Sequence, residues 1–342
     1  MQLLNTLYVT LSDSYVHLEN DTVRLEIEHE TRLRVPLHHL GAVVCFGNIR
    51  VSLPLMHRLA DAGIALVLLD EHGRFKARLE GAVSGNVLLR RAQHQSSMND
   101  GFAIELARNC IAGKIRNCRQ VLLRGARESR NDEDASALTR AAEDLAAALR
   151  TLPTATSLDV LRGVEGEAAR QYFAALNRLV RPDARDAFRM DGRTRRPPRD
   201  RMNALLSFIY ALLMNDCRSA IEASGLDPQV GFLHVLRPGR AALALDLMEE
   251  FRFLADRLAL TLVNRQQISG RDFSEREGGA VLLEGDARKT VLVAYQERKQ
   301  ESLTHPLLTE PVTVGLLPHL QARLLARTIR GDAETYVPFF LK

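Results

Sequence analysis

A histidine and a set of carboxylates are the residues of this sequence best suited to chemistry. His234 lies in residues 231–256, GFLHVLRPGRAALALDLMEEFRFLAD, just before a turn through Arg237, Pro238, Gly239 and Arg240. A long helical pattern follows, on which Leu243, Leu247, Phe251, Leu254 and Leu258 recur every three or four residues as one apolar stripe. Asp246, Glu249 and Glu250 sit beside the stripe at spacings of three and four, on a face they share with Phe253. Glu165 heads a second helical face that continues through Ala168, Ala169, Tyr172, Phe173, Leu176, Leu179 and Val180, while Glu167 points elsewhere. A carboxylate on an apolar face needs a cation, a donor or a metal, and the two alanines one turn on leave room for something to approach.

Glu165, His234 and Glu249, with Asp246 close by, make a mixed oxygen–nitrogen site. Carboxylates favour Mg²⁺ or Mn²⁺, and the imidazole keeps Mn²⁺ well tolerated. Zinc would call for cysteine or a second histidine at tight spacing. Each residue alone also has an ordinary reading. His234 could be a buried structural histidine, and Asp246, Glu249 and Glu250 a solvated acidic face tied to Arg257. Glu165 could be an acid at a helix N-terminus, or a partner of Arg162. Asp246 could be a ligand or could hold His234 from behind.

Arginines supply the second chemical signal. Residues 181–201, RPDARDAFRMDGRTRRPPRDR, hold eight arginines and four aspartates and no lysine. Guanidinium forks match phosphate oxygens bidentately, so Arg193, Arg195, Arg196 and Arg199 are expected to touch a nucleic-acid backbone, as are Arg237 and Arg240 beside the histidine. Arg298 and Lys299, in a polar basic stretch, extend the set. The interspersed aspartates also suit a solvated mixed-charge loop. A metal beside arginine-rich helices points to phosphoryl transfer on nucleic acid.

These side chains must be positioned by a chain of 342 residues, long enough for two ordinary domains, with 46% hydrophobic and 26% charged residues. No apolar run is long enough for a membrane span, and the start, Met1-Gln2-Leu3-Leu4, lacks the pattern of a secretion signal. Four scattered cysteines suit a reducing cytoplasm rather than a disulfide framework. The formal net charge is only +4 and tryptophan is absent, which makes base stacking a minor mode of binding.

Residues 1–80 alternate with strand period and carry one helix, at residues 53–61. An Asn20-Asp21 hairpin turn is expected, and the almost wholly apolar 41–46 is expected to be a buried strand. This β-rich part, a mixed sheet with one short helix, reads as a structural or dimerisation module. Residues 81–96 read as a linker, opening on Gly81-Ala82-Val83-Ser84-Gly85-Asn86. From 97 to 342 helices dominate: 102–123, 135–149, a segment from 157, an apolar helix 203–214 capped by Asp200, one long helix ending near 263, 288–298 and 311–329. The fold class is α+β, with a β-rich N-terminal part and an all-α C-terminal part.

Four segments, in order, carry a family resemblance: GVEGEAARQYF (163–173), RRPPRDRMNALLSFIYALL (195–213), GFLHVLRPGRAALALDLMEEFR (231–252) and AYQERKQ (294–300). The chain resembles the CRISPR adaptation integrases, metal-dependent nucleases that insert new spacers, and HLQARLLARTIRGD near the end is similar to the type I-C branch. The resemblance implies an N-terminal β domain and a C-terminal helical catalytic domain. The family's metal glutamate falls on Glu165, its histidine on His234, its second acid on Glu249, where many relatives carry aspartate, and its extra aspartate on Asp246. It further implies Mg²⁺ or Mn²⁺, homodimers formed through the β domains, and a small ferredoxin-like partner bridging two dimers. The implied reaction is attack by the 3′-OH of a captured DNA fragment on the CRISPR repeat, a transesterification that needs no ATP. A structure-specific repair nuclease and a non-catalytic DNA-binding scaffold are the alternatives.

Overall fold

A computed structural model describes residues 5–71, 73, 75–79, 81 and 87–341. Most of the expected linker opening, 82–86, lies outside the described residues, as do the first four residues. The fold divides into two compact units. One takes in the N-terminal strands and Leu292–Lys299, and the other holds the rest of the described chain.

The first unit runs β1 (Asn5–Val9), β2 (Tyr15–Glu19), β3 (Thr22–Ile27), β4 (Glu30–Pro36), β5 (Leu40–Phe46), β6 (Arg50–Val51), α1 (Leu53–Asp61), β7 (Ala65–Leu69) and β8 (Phe75–Leu79). One mixed sheet was expected; the strands form two four-stranded sheets, ordered β1-β5-β7-β8 and β4-β3-β2-β6. β5 pairs in parallel with β1 on one side and β7 on the other, which accounts for its apolar run. Asn20 and Asp21 turn β2 into β3 with φ of 47° and 55°, the left-handed backbone that a tight hairpin requires. Ser52 caps α1 by accepting from the Leu55 N–H at 3.3 Å. α1 buries Leu55 and Leu59 in one core with Val16, Val23 and Leu66.

The second unit begins with α2 (Val87–Ser97), so most of the stretch expected as linker is helical. α3 (Asp100–Glu128), α4 (Asp132–Thr151), α5 (Leu158–Leu176), the short α6 (Pro182–Arg185), α7 (Arg201–Ala223), α8 (Ala242–Glu249) and α9 (Arg252–Asn264) follow. Side-chain caps set four starts: Asn99, Asn131, Ser157 and Asp200 each accept a backbone N–H three residues on. α3 runs on past the expected end at 123 to Glu128, and α4 starts at Asp132, so only 129–131 separate them. β9 (Phe273–Arg276) and β10 (Ala280–Leu283) form a hairpin, α10 (Gly285–Gln300) follows, and β11 (Ser302–Thr304) pairs with β12 (Pro311–Thr313) before α11 (Leu317–Arg330). The C-terminal region is thus mostly helical but not all-α: Pro311–Thr313, expected as the start of the last helix, is an edge strand, where proline is tolerated.

The long helix expected after Arg240 is broken at Glu250 and Phe251. The apolar stripe is nonetheless continuous: Leu243, Leu247, Phe251, Leu254 and Leu258 are all buried. Tertiary bonds cause the break. The Asn117 amide donates to the Glu250 carbonyl at 2.9 Å, and the buried Glu250 carboxylate accepts from the Phe339 N–H at 2.7 Å, from Gln321 Nε2 at 2.9 Å and from the Tyr336 hydroxyl. Burial pushes the Glu250 carboxyl up to about 7 against these donors. The tail after α11 is seated by the same bonds, and Phe339 stacks on Phe253 with ring centroids 6.1 Å apart.

Candidate metal and phosphate site

Five elements converge on one place in the second unit. Glu165 comes from α5, His234 from the loop before α8, Asp246 and Glu249 from α8, Arg252 from the first turn of α9, and Lys114 from α3. Nothing in the sequence pattern singled out the last two.

His234 is held from behind. Asp246 Oδ1 lies 2.7 Å from His234 Nδ1 and accepts the His234 backbone N–H at 3.0 Å. Its Oδ2 accepts the N–H groups of Phe232 at 2.6 Å and Leu233 at 3.0 Å. The carboxylate therefore folds the loop around itself, and its lone pairs are consumed in doing so. Because a carboxylate only accepts, Nδ1 carries the ring hydrogen and Nε2 faces the other way, 3.8 Å from Glu249 Oε1. Glycine is required at 231, where an added Cβ would stand 2.7 Å from Asp246 Oδ2 and 2.8 Å from the Leu243 nitrogen. Arg162, expected as a partner for Glu165, instead donates to the Leu233 carbonyl at 2.9 Å and to Asp159 at 2.7 Å. Glu167 does point away, into an exposed pair with Arg170.

Glu249 is 3% exposed and doubly neutralised. The Arg252 fork grips both its oxygens at 2.8 and 2.9 Å, and Lys114 Nζ stands 2.6 Å from Oε2. Burial opposes its charge, but Arg252 and Lys114 prevail and hold the carboxyl well below its usual range. Lys114 Nζ also contacts Glu165 Oε1, so one ammonium bridges the two carboxylates. Burial works against that ammonium, and Glu249 and Glu165 more than offset it. Beneath it a cavity of about 10 Å³, room for about one water, is lined by Lys114, Ala168, Ala169, Tyr172 and Arg252 among others. The alanines following Glu165 do open a space.

Asp256 continues the buried network, accepting from the Tyr172 hydroxyl at 3.0 Å and from the Tyr210 hydroxyl. The Arg252 guanidinium lies 4.9 Å from the Tyr210 ring centroid. Burial pushes the Asp256 carboxyl up to about 6 despite these donors.

The arginines sort into distinct roles. Arg195, Arg196, Arg199 and Arg237 are exposed. Arg240 is half-buried; burial first, and then the charge of Arg237, push its guanidinium below the ordinary value. Arg193 faces inward: it donates to Asn203 Oδ1 and the Thr194 carbonyl, both at 2.6 Å, and lies 5.3 Å from the Tyr210 ring. Arg298 and Lys299 fall in the other unit; Lys299 is buried, its Nζ 5.8 Å from the Tyr295 ring centroid.

The donor chemistry around Lys114, two carboxylates and an imidazole Nε2, suits a hard divalent cation, and an ammonium already lies between the carboxylates. As the side chains stand, no three acidic, histidine or cysteine residues among those described are arranged to hold a metal ion.

The helical unit gathers acids, an imidazole and guanidinium groups, donors suited to a divalent cation and to phosphate, and comparison with known proteins identifies the family. The sequence model of the CRISPR associated protein Cas1 family matches residues 7–297. The CRISPR-associated endonuclease Cas1 1 of Moorella thermoacetica is 58% identical over 341 residues, covering 99% of both chains. A CAS1 protein from Thermotoga maritima superposes with a TM-score of 0.83 at 23% identity over 97% of this chain and 99% of that one. A chain of a Cas6-RT-Cas1–Cas2 complex gives 0.83 at 24% identity, over 99% of this chain and 36% of that one. The chain belongs to the Cas1 family of CRISPR-associated endonucleases.

Proposed function

We propose that this protein is a divalent-metal-dependent DNA integrase, which joins captured DNA fragments to a CRISPR repeat by 3′-OH transesterification. The observation that carries the reading is the convergence of Glu165, His234 and Glu249 from three chain segments on one cation-holding place, with Arg237 and Arg240 following His234 in the same loop. Glu165, His234 Nε2 and Glu249 are the groups that would hold Mg²⁺ or Mn²⁺. Bound there, the ion would supply Lewis-acid polarisation of the scissile phosphodiester.

The chain's own residues do the rest. Asp246 fixes the His234 ring and its tautomer. Arg252 fixes the Glu249 carboxylate in one orientation through its bidentate grip. Arg196, Arg237 and Arg240 hold the DNA backbone against the site, with Arg195 and Arg199 extending the basic surface along the loop. In the exchange the 3′-oxygen forms a new P–O bond as the old P–O bond breaks, and the departing oxygen keeps the bonding pair, so the count of phosphodiesters is unchanged.

The partners that fit this reading are duplex DNA, a second copy of the chain through the β-sheet unit, and a small ferredoxin-like adaptation protein. The likeness to a Cas1 chain in a complex with Cas2 supports the last. The type I-C assignment rests on the segment at 319–332, and the compartment is taken as the cytoplasm.

The test is strand transfer. Labelled duplex donor, a supercoiled plasmid carrying a leader and repeat, and Mn²⁺ are incubated with wild type or Glu165→Ala, with and without the small partner. Covalent joining by wild type alone is expected. Nicking without joining, partner present, would make the protein a nuclease; equal behaviour of the two proteins would remove the metal reading.

A further inference from the structure

The metal reading leaves one buried charge in the site without a part to play. Lys114 Nζ bonds Glu249 Oε2 at 2.6 Å and also contacts Glu165, the two carboxylates a divalent ion would need. The lysine is buried, on the face of α3 that packs against α5 and α8. Glu249 has a second cation besides it, since the Arg252 fork engages both of its oxygens. Glu165 is more open, at 25% exposed, and carries no such fork.

The two cations differ in kind. A guanidinium held by two parallel bonds is fixed, whereas an ammonium on a four-carbon stem reorients at small cost. Lys114 is among the residues lining the water-sized cavity that Ala168 and Ala169 also line. A dication and an ammonium cannot share the same carboxylate oxygens at contact distance.

We propose that Lys114 is the resident cation of the site, holding Glu165 and Glu249 together while no metal is bound and leaving its place between them when the divalent ion arrives. The proposal rests on the metal reading above. Its logic is that of a placeholder: without a positive charge, two carboxylates gathered at one point would repel and the site would open. The same contact competes with the metal, so the ion binds more weakly than its donor set allows.

Mn²⁺ binding to the full-length protein, followed by calorimetry, tests this on wild type and Lys114→Met. Wild type should bind Mn²⁺, and the variant should bind it at least about tenfold more tightly, since the competing state is gone. A second measurement needs no variant: acylation of Lys114 in wild type, read by mass spectrometry, should be slow without metal and accelerate when Mn²⁺ is added. Equal or weaker Mn²⁺ binding by a folded Lys114→Met, or unchanged protection of Lys114 in the presence of bound Mn²⁺, overturns the proposal and leaves the metal site standing. Absence of Mn²⁺ binding by both proteins removes the metal reading and this proposal with it.

Discussion

Asp246 Oδ1 sits 2.7 Å from His234 Nδ1, and the same carboxylate takes the backbone N–H groups of residues 232, 233 and 234. Its lone pairs are spent, so it acts on the site through the histidine. Asp246→Asn should weaken Mn²⁺ binding and strand transfer by about 10–100-fold, the range for losing such a supporting partner. It should also lower stability by about 1–3 kcal/mol, because a buried donor loses its acceptor. Calorimetric Mn²⁺ titration and urea denaturation measure the two effects. Abolished metal binding with stability intact would instead make Asp246 a direct ligand.

Glu165 and Glu249 should separate in their effects on the fold. Glu249 is 3% exposed and compensates two buried cations, so Glu249→Ala should cost about 3–5 kcal/mol. Glu165 is 25% exposed and should cost about 1 kcal/mol or less when replaced by alanine. Both should lose strand transfer. Thermal unfolding of the two variants beside wild type reads the difference, and equal destabilisation would show that Glu165 is held as rigidly as Glu249.

Two arginines from one loop should behave differently. Arg196 is exposed, so Arg196→Ala should leave stability within about 0.5 kcal/mol. It should also reduce the salt dependence of duplex binding by about one phosphate contact. Arg193→Ala removes the donor to Asn203 Oδ1 and the Thr194 carbonyl and should cost about 1–3 kcal/mol of stability. Binding isotherms at several salt concentrations, paired with denaturation curves, test the contrast. A salt slope altered by Arg193→Ala in a fully stable protein would return that residue to the DNA surface.

Asp256 sets a pH dependence. Its carboxyl is raised from an ordinary 3.8 to about 6 by burial, against the hydroxyl donors Tyr210 and Tyr172. With the folded value above the unfolded one, its contribution is fully present below pH about 4 and is lost as pH rises through about 6. The loss amounts to roughly 3 kcal/mol for a shift of this size. Asp256→Asn lacks the titration, so wild-type stability relative to the variant should fall by up to that amount between pH 4 and 7. A flat difference across the series would mean the carboxyl titrates normally.

Much of this was legible in the sequence, for identifiable reasons. The helix at 53–61, the hairpin turn at Asn20-Asp21 and the buried strand β5 follow from local signals: a helical pattern closed by Gly63, a turn pair and an apolar run. Glu165, His234, Asp246 and Glu249 stood out as candidates because acids on apolar faces are conspicuous and because the family motifs cover them, and the structure brings them together. Lys114 was not, since a lysine within ARNCIAGKIRNCRQ reads as an ordinary solvated residue, and its partners lie 51 and 135 positions away. The break at Glu250 was equally hidden. The helical pattern runs straight through it, and the competing bonds come from Asn117, Gln321 and the tail. Arg193 looked like its exposed neighbours because composition does not say which way a loop residue turns.

The spacing from Asp246 through Glu249 to Arg252 has a consequence for how this chain can vary among its relatives. Each added or deleted residue in a helix rotates the residues beyond it by roughly 100°. An insertion between Asp246 and Glu249 would put the Asp246 contact to His234 and the Glu249 carboxylate out of register with each other, and one in the short break between Glu249 and Arg252 would displace the fork from its target. Length changes should therefore be purged from residues 231–252 and accumulate at the 129–131 turn and the tips of the β9–β10 and β11–β12 hairpins, where an extra residue displaces nothing but the loop itself.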